Sequence, residues 1–212
     1  MSINGVEVTQ VSVDVEAAYA DAAQMLERYP WRGPAAAAHG LRPYITDKVV
    51  CDLGCGGGDL AWLMGRWAKK VIGVELDDDR YKVACTPRGA DNVTIRQLDY
   101  FKVDVPVADV YYAWPNDPAT VSQIVDMLLL QCPEASLIVG DRVGWLEQEL
   151  AGNKSFTIGN KKLVPNYLSI VSERGGKVVT FPYREDPAAI RGSSQSWPPE
   201  DVWCLYIITL GS

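Results

Sequence analysis

Short apolar runs alternate with longer amphipathic stretches through the middle of the chain. Residues 49–53, 71–74, 93–98, 107–113 and 135–139 are compact apolar segments that predict five strands. Between and after them the apolar positions recur at helical spacing, predicting helices over 59–68, 77–85, 117–131 and 142–151. Asp117-Pro118 is a strong helix start, with Asp as cap and Pro at the first helical position, and Val121, Ile124, Val125, Leu128 and Leu129 then share one face. Gly152 is placed to end the last of these helices. Strand and helix in regular succession predict a parallel sheet covered on both faces.

The flanks read differently. Upstream, 14–29 predicts an amphipathic helix with Asp14 as cap and Val15, Tyr19, Ala22, Leu26 and Tyr29 on one face, stopped by Pro30. The stretch 31–47 holds Gly33, Pro34 and Gly40 and predicts a lead-in with at most a short helix. Downstream, 168–171 and 178–183 flank Arg174-Gly175-Gly176, a hairpin-like signal, and 202–210 predicts a long closing strand. The expected fold is α/β, a doubly wound, mostly parallel sheet with an antiparallel C-terminal end. The chain reads as one domain: a helical lead-in (1–47), a half of alternating strands and helices (48–141) and a C-terminal half with an antiparallel hairpin (142–212).

Composition narrows the classes. Lys and Arg number 20 against 27 Asp and Glu, a formal charge of −7, which disfavours a protein that grips long stretches of phosphate backbone and so disfavours nucleic acid as a partner. No apolar run approaches the length of a membrane span, and residues 1–10 lack the basic start and apolar core of a signal peptide, so a cytoplasmic location is expected. The 5 cysteines are odd in number and lie mostly inside apolar patterns, as buried reduced thiols would. Cys51 and Cys55 are close in sequence, but no second pair follows and His39 is the lone histidine, so no metal site is expected.

The chemistry concentrates where the first strand meets the first glycine cluster, Asp52-Leu53-Gly54-Cys55-Gly56-Gly57-Gly58-Asp59. A strand entering a tight glycine turn that opens a helix brings backbone close to a ligand, because no side chain holds the ligand away. In open sheets such turns lie at the carboxyl ends of the strands, where ligands bind. Glu75 ends the second strand, placed to accept hydrogen bonds from both ribose hydroxyls of an adenosine. Asp99 follows the third strand, placed to accept from an adenine amino group, with Tyr100 beside the ring. Each acid taken singly also fits an ordinary turn or cap.

These elements resemble the class I, seven-β-strand methyltransferases. Their first motif, an acid, any residue, then Gly-x-Gly-x-Gly, is matched by Asp52, Gly54, Gly56 and Gly58. Their acid at the end of the second strand is matched by Glu75, and their adenine-side acid by Asp99. The likeness spans roughly 48–141. It implies a Rossmann-like sheet of seven strands with the last antiparallel, and S-adenosylmethionine as cofactor. It implies a site made by Asp52, Gly54, Cys55, Gly56, Gly58, Glu75, Leu76, Asp99 and Tyr100. A dinucleotide reading competes through Gly56-Gly57-Gly58-Asp59-Leu60-Ala61, but Asp52 would set a negative charge against a pyrophosphate. A carboxylate there suits the ammonium of S-adenosylmethionine better.

Acceptor residues are expected just after the fourth strand, at Tyr111-Tyr112-Ala113-Trp114-Pro115-Asn116-Asp117. Asn116 is the candidate to orient an acceptor and Trp114 to flank the methyl group or a cationic amine. Asn116 and Asp117 equally suit a plain helix cap. The segment is only loosely similar to the loop of amino-methylating nucleic-acid enzymes, since no second proline follows Pro115. The acceptor is thus a small molecule or a protein side chain such as lysine, a cadence shared with seven-strand lysine methyltransferases. A non-catalytic S-adenosylmethionine-binding module and an NAD(P)-dependent oxidoreductase are the alternatives. His39, in the lead-in, has a suitable pKa for a general base, but base rates favour a solvated loop histidine.

Overall fold

A computed structural model describes residues 2–3, 5–26, 32–115, 118–142, 156–158, 161–163, 167–183 and 201–210. Five parallel strands carry the central half: β3 (Val49–Leu53), β4 (Lys70–Glu75), β5 (Val93–Gln97), β6 (Val110–Ala113) and β7 (Ser136–Arg142). They lie in the order β5-β4-β3-β6-β7, so the chain reverses its direction of travel between β3 and β6. That reversal is the switch point at which doubly wound sheets bind ligands. The expected parallel sheet is present.

The sheet continues through β11 (Asp201–Thr209), antiparallel to β7, and β10 (Lys177–Tyr183), antiparallel to β11. This is the antiparallel C-terminal end the sequence predicts. Two strands of this sheet were not foreseen: β2 (Val6–Gln10) adds parallel to β10, and β1 (Ser2–Ile3) folds back on β2, so that the sheet has nine strands among the described residues. Val6 and Val8 are buried while Glu7 faces out, an alternation legible only over three positions. A separate small hairpin, also not foreseen, pairs β8 (Phe156–Ile158) with β9 (Lys161–Leu163).

The helices are α1 (Val15–Leu26), α2 (Arg32–Ile45), α3 (Asp59–Met64), α4 (Asp78–Ala84), α5 (Pro118–Gln131) and α6 (Tyr167–Glu173). Asp14 caps α1 by accepting from Ala17 N at 3.0 Å, and Asp77 caps α4 by accepting from Arg80 N at 2.9 Å. Three expectations need correction. The lead-in is a full helix, α2: its run Ala35–Ala38 with Leu41 and Ile45 is wholly buried, and Gly40 sits against Phe181, whose ring a Cβ would meet at 2.4 Å. Gly40 is a packing surface there, not a breaker. Residues 168–171 are helix, not strand, because Tyr167, Leu168 and Val171 share one buried face. The following glycines end that helix, with Gly175 left-handed (φ 67°) and Gly176 N donating to Val171 O at 2.8 Å; β10 pairs instead with β11. Finally, Arg142 ends β7 instead of opening a helix; the rest of that predicted helix, 143–151, lies outside the described residues.

One face of the sheet packs on α5 and α6 and the other on α2 and α3. Tyr111, Ile124, Leu128 and Leu137 belong to the first layer, and Leu41, Ile45, Met64 and Val71 to the second, all fully buried. Burial of each large apolar side chain contributes about 1.5–3 kcal/mol. The layers thus fix β3, β4 and β6, whose carboxyl ends build the site.

Candidate active site

The glycine turn leaves β3 with three left-handed residues, Gly54 (φ 75°), Gly56 (φ 57°) and Gly58 (φ 83°). A Cβ on Gly54 or Gly56 would meet no heavy atom within 4 Å, so the side-chain space above the turn is open. Gly58 plays another part: a Cβ there would meet Ala84 Cα at 3.1 Å and Trp62 Cδ1 at 3.2 Å, so this glycine lets α3 lie close on α4. The turn is held from within. Gly54 N and Cys55 N both donate to Val74 O (2.8 and 2.9 Å), and Gly58 N donates to Cys55 O (2.9 Å). Cys55 is half-buried with its Sγ over Gly73, where a Cβ would approach it to 2.9 Å. Burial raises the Cys51 and Cys55 thiols far above the usual range, and all five cysteines are free.

The two acids at the strand ends are both buried and differ sharply. Glu75, at the end of β4, has both carboxylate oxygens engaged: Oε2 accepts from Gly56 N, and Oε1 from Leu76 N and Asp77 N, each at 2.8 Å. Asp52, in β3, is 3% exposed and its Oδ2 has no hydrogen-bond partner within the protein. Burial, then the nearby charge of Glu75, pushes its carboxyl up to about 7. A buried carboxylate without a partner is costly unless a cation or donor meets it.

Beside Glu75 a cavity of about 380 Å³ opens at the switch point. Its floor includes Leu53, Gly54 and Glu75, and Leu76, Asp99 and Tyr100 form one side. Asp99 serves two ends at once. It lines the cavity, and its Oδ1 accepts from Phe101 N at 3.1 Å while Oδ2 pairs with Lys102 Nζ at 2.9 Å. The Lys102 contact, then the Phe101 amide, holds its carboxyl below the usual range. Ala113, Trp114, Pro115, Thr120 and Ile124 form the opposite side. Three large apolar side chains on this rim stay exposed: Leu76 (58%), Phe101 (46%) and Trp114 (41%). The structure therefore brings Gly54, Glu75, Leu76, Asp99, Tyr100 and Trp114 to one cavity, whereas Asp52, Cys55, Gly56 and Gly58 lie outside its lining. Asn116 lies outside the described residues.

His39 is not at this cavity. It sits on α2, half-buried, edge-on to Trp67 with ring centroids 5.1 Å apart and 3.5 Å from Asp21, and burial lowers its pKa. Neither the general-base role nor the solvated-loop placement describes it. Sequence reasoning missed Arg80 and Phe101 as cavity residues. The first falls three positions after the Asp77 cap, hence on the first turn of α4, and the second directly follows Tyr100; both positions were readable from the elements.

No protein-family model matches the chain, and no curated protein matches it in sequence. Solved structures do match in shape. A candidate RNA methyltransferase from Pyrococcus horikoshii aligns with a TM-score of 0.58 at 18% identity, covering 94% of this chain and 97% of that one. A candidate methyltransferase from Bacillus halodurans aligns at 0.53 and 13% identity, covering 84% and 98%. A candidate S-adenosylmethionine-dependent methyltransferase from Listeria monocytogenes aligns at 0.52 and 14% identity, covering 82% and 96%. With the strand order and the antiparallel β11 described above, these matches show that the chain has the fold of the class I methyltransferases.

Proposed function

We propose that the chain is a methyltransferase using S-adenosylmethionine, a single catalytic domain whose cofactor lies over the glycine turn. The observation that carries this reading is a buried carboxylate, Asp52, whose Oδ2 has no partner within the protein, beside a turn in which three of the four glycine amides are already engaged. The N–H groups of Gly54, Cys55, Gly56 and Gly58 all donate inside the protein. A phosphate cradle needs such groups free and pointing at the ligand, and it needs no anion beneath them. An ammonium group, by contrast, satisfies Asp52 without demanding amides from the turn. This favours the amino-acid end of S-adenosylmethionine over the pyrophosphate of a dinucleotide.

When bound, S-adenosylmethionine supplies an electrophilic methyl group on a sulfonium; alignment is left to the protein. In this reading Asp52 holds the ammonium through its free Oδ2. Glu75, fixed by three amides, keeps a carboxylate at the ribose position. Asp99 and Tyr100 border the adenine, with Leu76 and Phe101 against its faces. Trp114, at the carboxyl end of β6, presents an exposed indole toward the acceptor, as either a stacking surface or a cation–π face. Asn116 keeps its proposed orienting role from its place two residues on.

The acceptor classes supported by the chain's own residues are a small molecule or a protein side chain such as lysine, for both of which an exposed indole is a suitable wall. A second reading has a specific basis: the fold likeness to a candidate RNA methyltransferase over nearly the full length of both chains brings a nucleobase back as acceptor, against the net charge of −7. Among the described residues no helix is long and apolar enough to cross a membrane.

The test is thermal unfolding with S-adenosylmethionine, S-adenosylhomocysteine, NAD and NADP, each at a hundredfold excess over its dissociation constant. Such saturation adds about 2.7 kcal/mol and several degrees to the midpoint. Stabilisation by the two adenosyl ligands alone supports the proposal, and stabilisation by NAD or NADP alone refutes it. Transfer of a labelled methyl group in a cell extract, followed by protease or ribonuclease digestion, then assigns the acceptor. Binding without any labelled acceptor would make the chain a non-catalytic binding module.

A further inference from the structure

The three left-handed glycines of the turn carry no side chains to anchor it, and the cap of α3, Gly58, makes no side-chain hydrogen bond. Glycine has more backbone freedom to lose than any other residue, so a turn this rich in it holds one shape only if neighbours fix it. From the inner side that task falls to Glu75 and the Val74 carbonyl. On the outer side it falls to a residue that no motif marks, Arg88.

Arg88 lies in the link between α4 and β5, followed by Gly89 in the left-handed region (φ 76°). The link turns back so that the guanidinium reaches three groups from separate elements. Its Nη2 donates to Gly57 O at 2.9 Å, in the turn itself, and to Val83 O at 3.4 Å, in the last turn of α4. Its Nη1 pairs with Asp59 Oδ1, at the first position of α3. The Arg88 side chain is only 8% exposed and that of Asp59 19%. A planar fork with donors at fixed angles serves three acceptors at once, which a lysine ammonium on a flexible stem does poorly. Close by, Trp62 Nε1 donates to Ala84 O at 2.9 Å, so α3 and α4 are tied at the same level.

We infer that Arg88 is a positioning residue for the cofactor site: it clamps the outer side of the glycine turn, joining Gly57, Asp59 and the end of α4 into one rigid unit. It touches neither cofactor nor acceptor and acts through the shape of the turn. Without it, residues 56–58 sample other conformations, and the ligand must select the competent one at a cost in affinity. The inference rests on the adenosyl-cofactor reading above.

The experiment is titration calorimetry of S-adenosylhomocysteine into the full-length wild type, Arg88→Lys and Arg88→Met, with thermal midpoints and amide hydrogen exchange measured on the unliganded proteins. Wild type binding is expected, with affinity about tenfold weaker in Arg88→Met and partial recovery in Arg88→Lys. Exchange across residues 54–59 should quicken in both variants in proportion to the lost affinity. A lower midpoint with affinity within twofold of wild type and unchanged exchange in that segment would overturn the inference, leaving Arg88 a plain stabilising residue. If Arg88→Met does not fold, the same affinity and exchange readouts on Arg88→Lys decide the matter. Failure of the wild type itself to bind would bring down the cofactor reading, and this inference with it.

Discussion

The two walls of the cavity are built on opposite plans. The wall formed by the ends of β3 and β4 and the glycine turn is held by hydrogen bonds, with the amides of Gly54, Cys55, Gly56 and Gly58 and both oxygens of Glu75 engaged inside the protein. The wall formed by the end of β6 and the start of α5 is apolar and open, with Trp114 exposed at its lip. The first wall suits one fixed ligand, and the second suits an exchangeable one. Next to the first wall the contrast repeats at the scale of two residues, since Glu75 is saturated with hydrogen bonds and Asp52, buried outside the cavity lining, has an oxygen left over.

That contrast breaks most sharply at Glu75. Replacing it with alanine frees three amides in a buried place; each hydrogen bond to a charged group contributes about 1.5–3 kcal/mol, so Glu75→Ala should cost several kcal/mol of stability and abolish cofactor binding. Chemical denaturation and calorimetry would show both, and a variant of unchanged stability would contradict the network. Asp52→Asn should separate the two properties. It removes the uncompensated buried charge, so the unliganded protein at pH 8 melts at or above the wild-type midpoint while cofactor affinity falls at least tenfold.

The protonation of Asp52 sharpens the comparison further. Its carboxyl is raised from an ordinary 3.8 to about 7, so the folded state holds a proton that the unfolded state releases between about pH 4 and 7. Stability from this group therefore falls as pH rises through that window. A ligand ammonium reverses the preference, favouring the carboxylate. S-adenosylhomocysteine should bind more tightly as pH rises from 6 to 8 and release protons on binding at pH 6.5, measured by calorimetry in buffers of different ionisation enthalpy. Asp52→Asn should show neither effect. The smallest change belongs to the open wall: Trp114→Ala should leave stability and cofactor affinity within about twofold and raise KM for the acceptor about tenfold. An unaltered KM would remove Trp114 from the acceptor side.

Much of the first wall was legible in the sequence because its chemistry is written in consecutive residues. A strand, an acid and spaced glycines, followed by an acid at the next strand end, fix a local geometry that few other arrangements share. The flanks were harder for physical reasons. Gly40 and Gly175-Gly176 have the same composition as breakers and hairpin turns, yet one packs beneath Phe181 and the others end a helix; only tertiary contacts distinguish these uses. β2 was too short to show its alternation. Arg88 was invisible because its partners lie on α3, α4 and the turn, brought together only by folding. The charge of −7 gave a clear expectation against nucleic acid, but net charge describes the whole surface and says little of one cavity.

The most direct test of the central claim is calorimetric titration of S-adenosylhomocysteine into wild type and Asp52→Asn at pH 8, both first shown to be folded. The account predicts stoichiometric binding to the wild type and at least tenfold weaker binding to a variant that is no less stable. Equal affinity in the two proteins would show that Asp52 does not meet the ligand, and absence of binding to the wild type would contradict the account at its root.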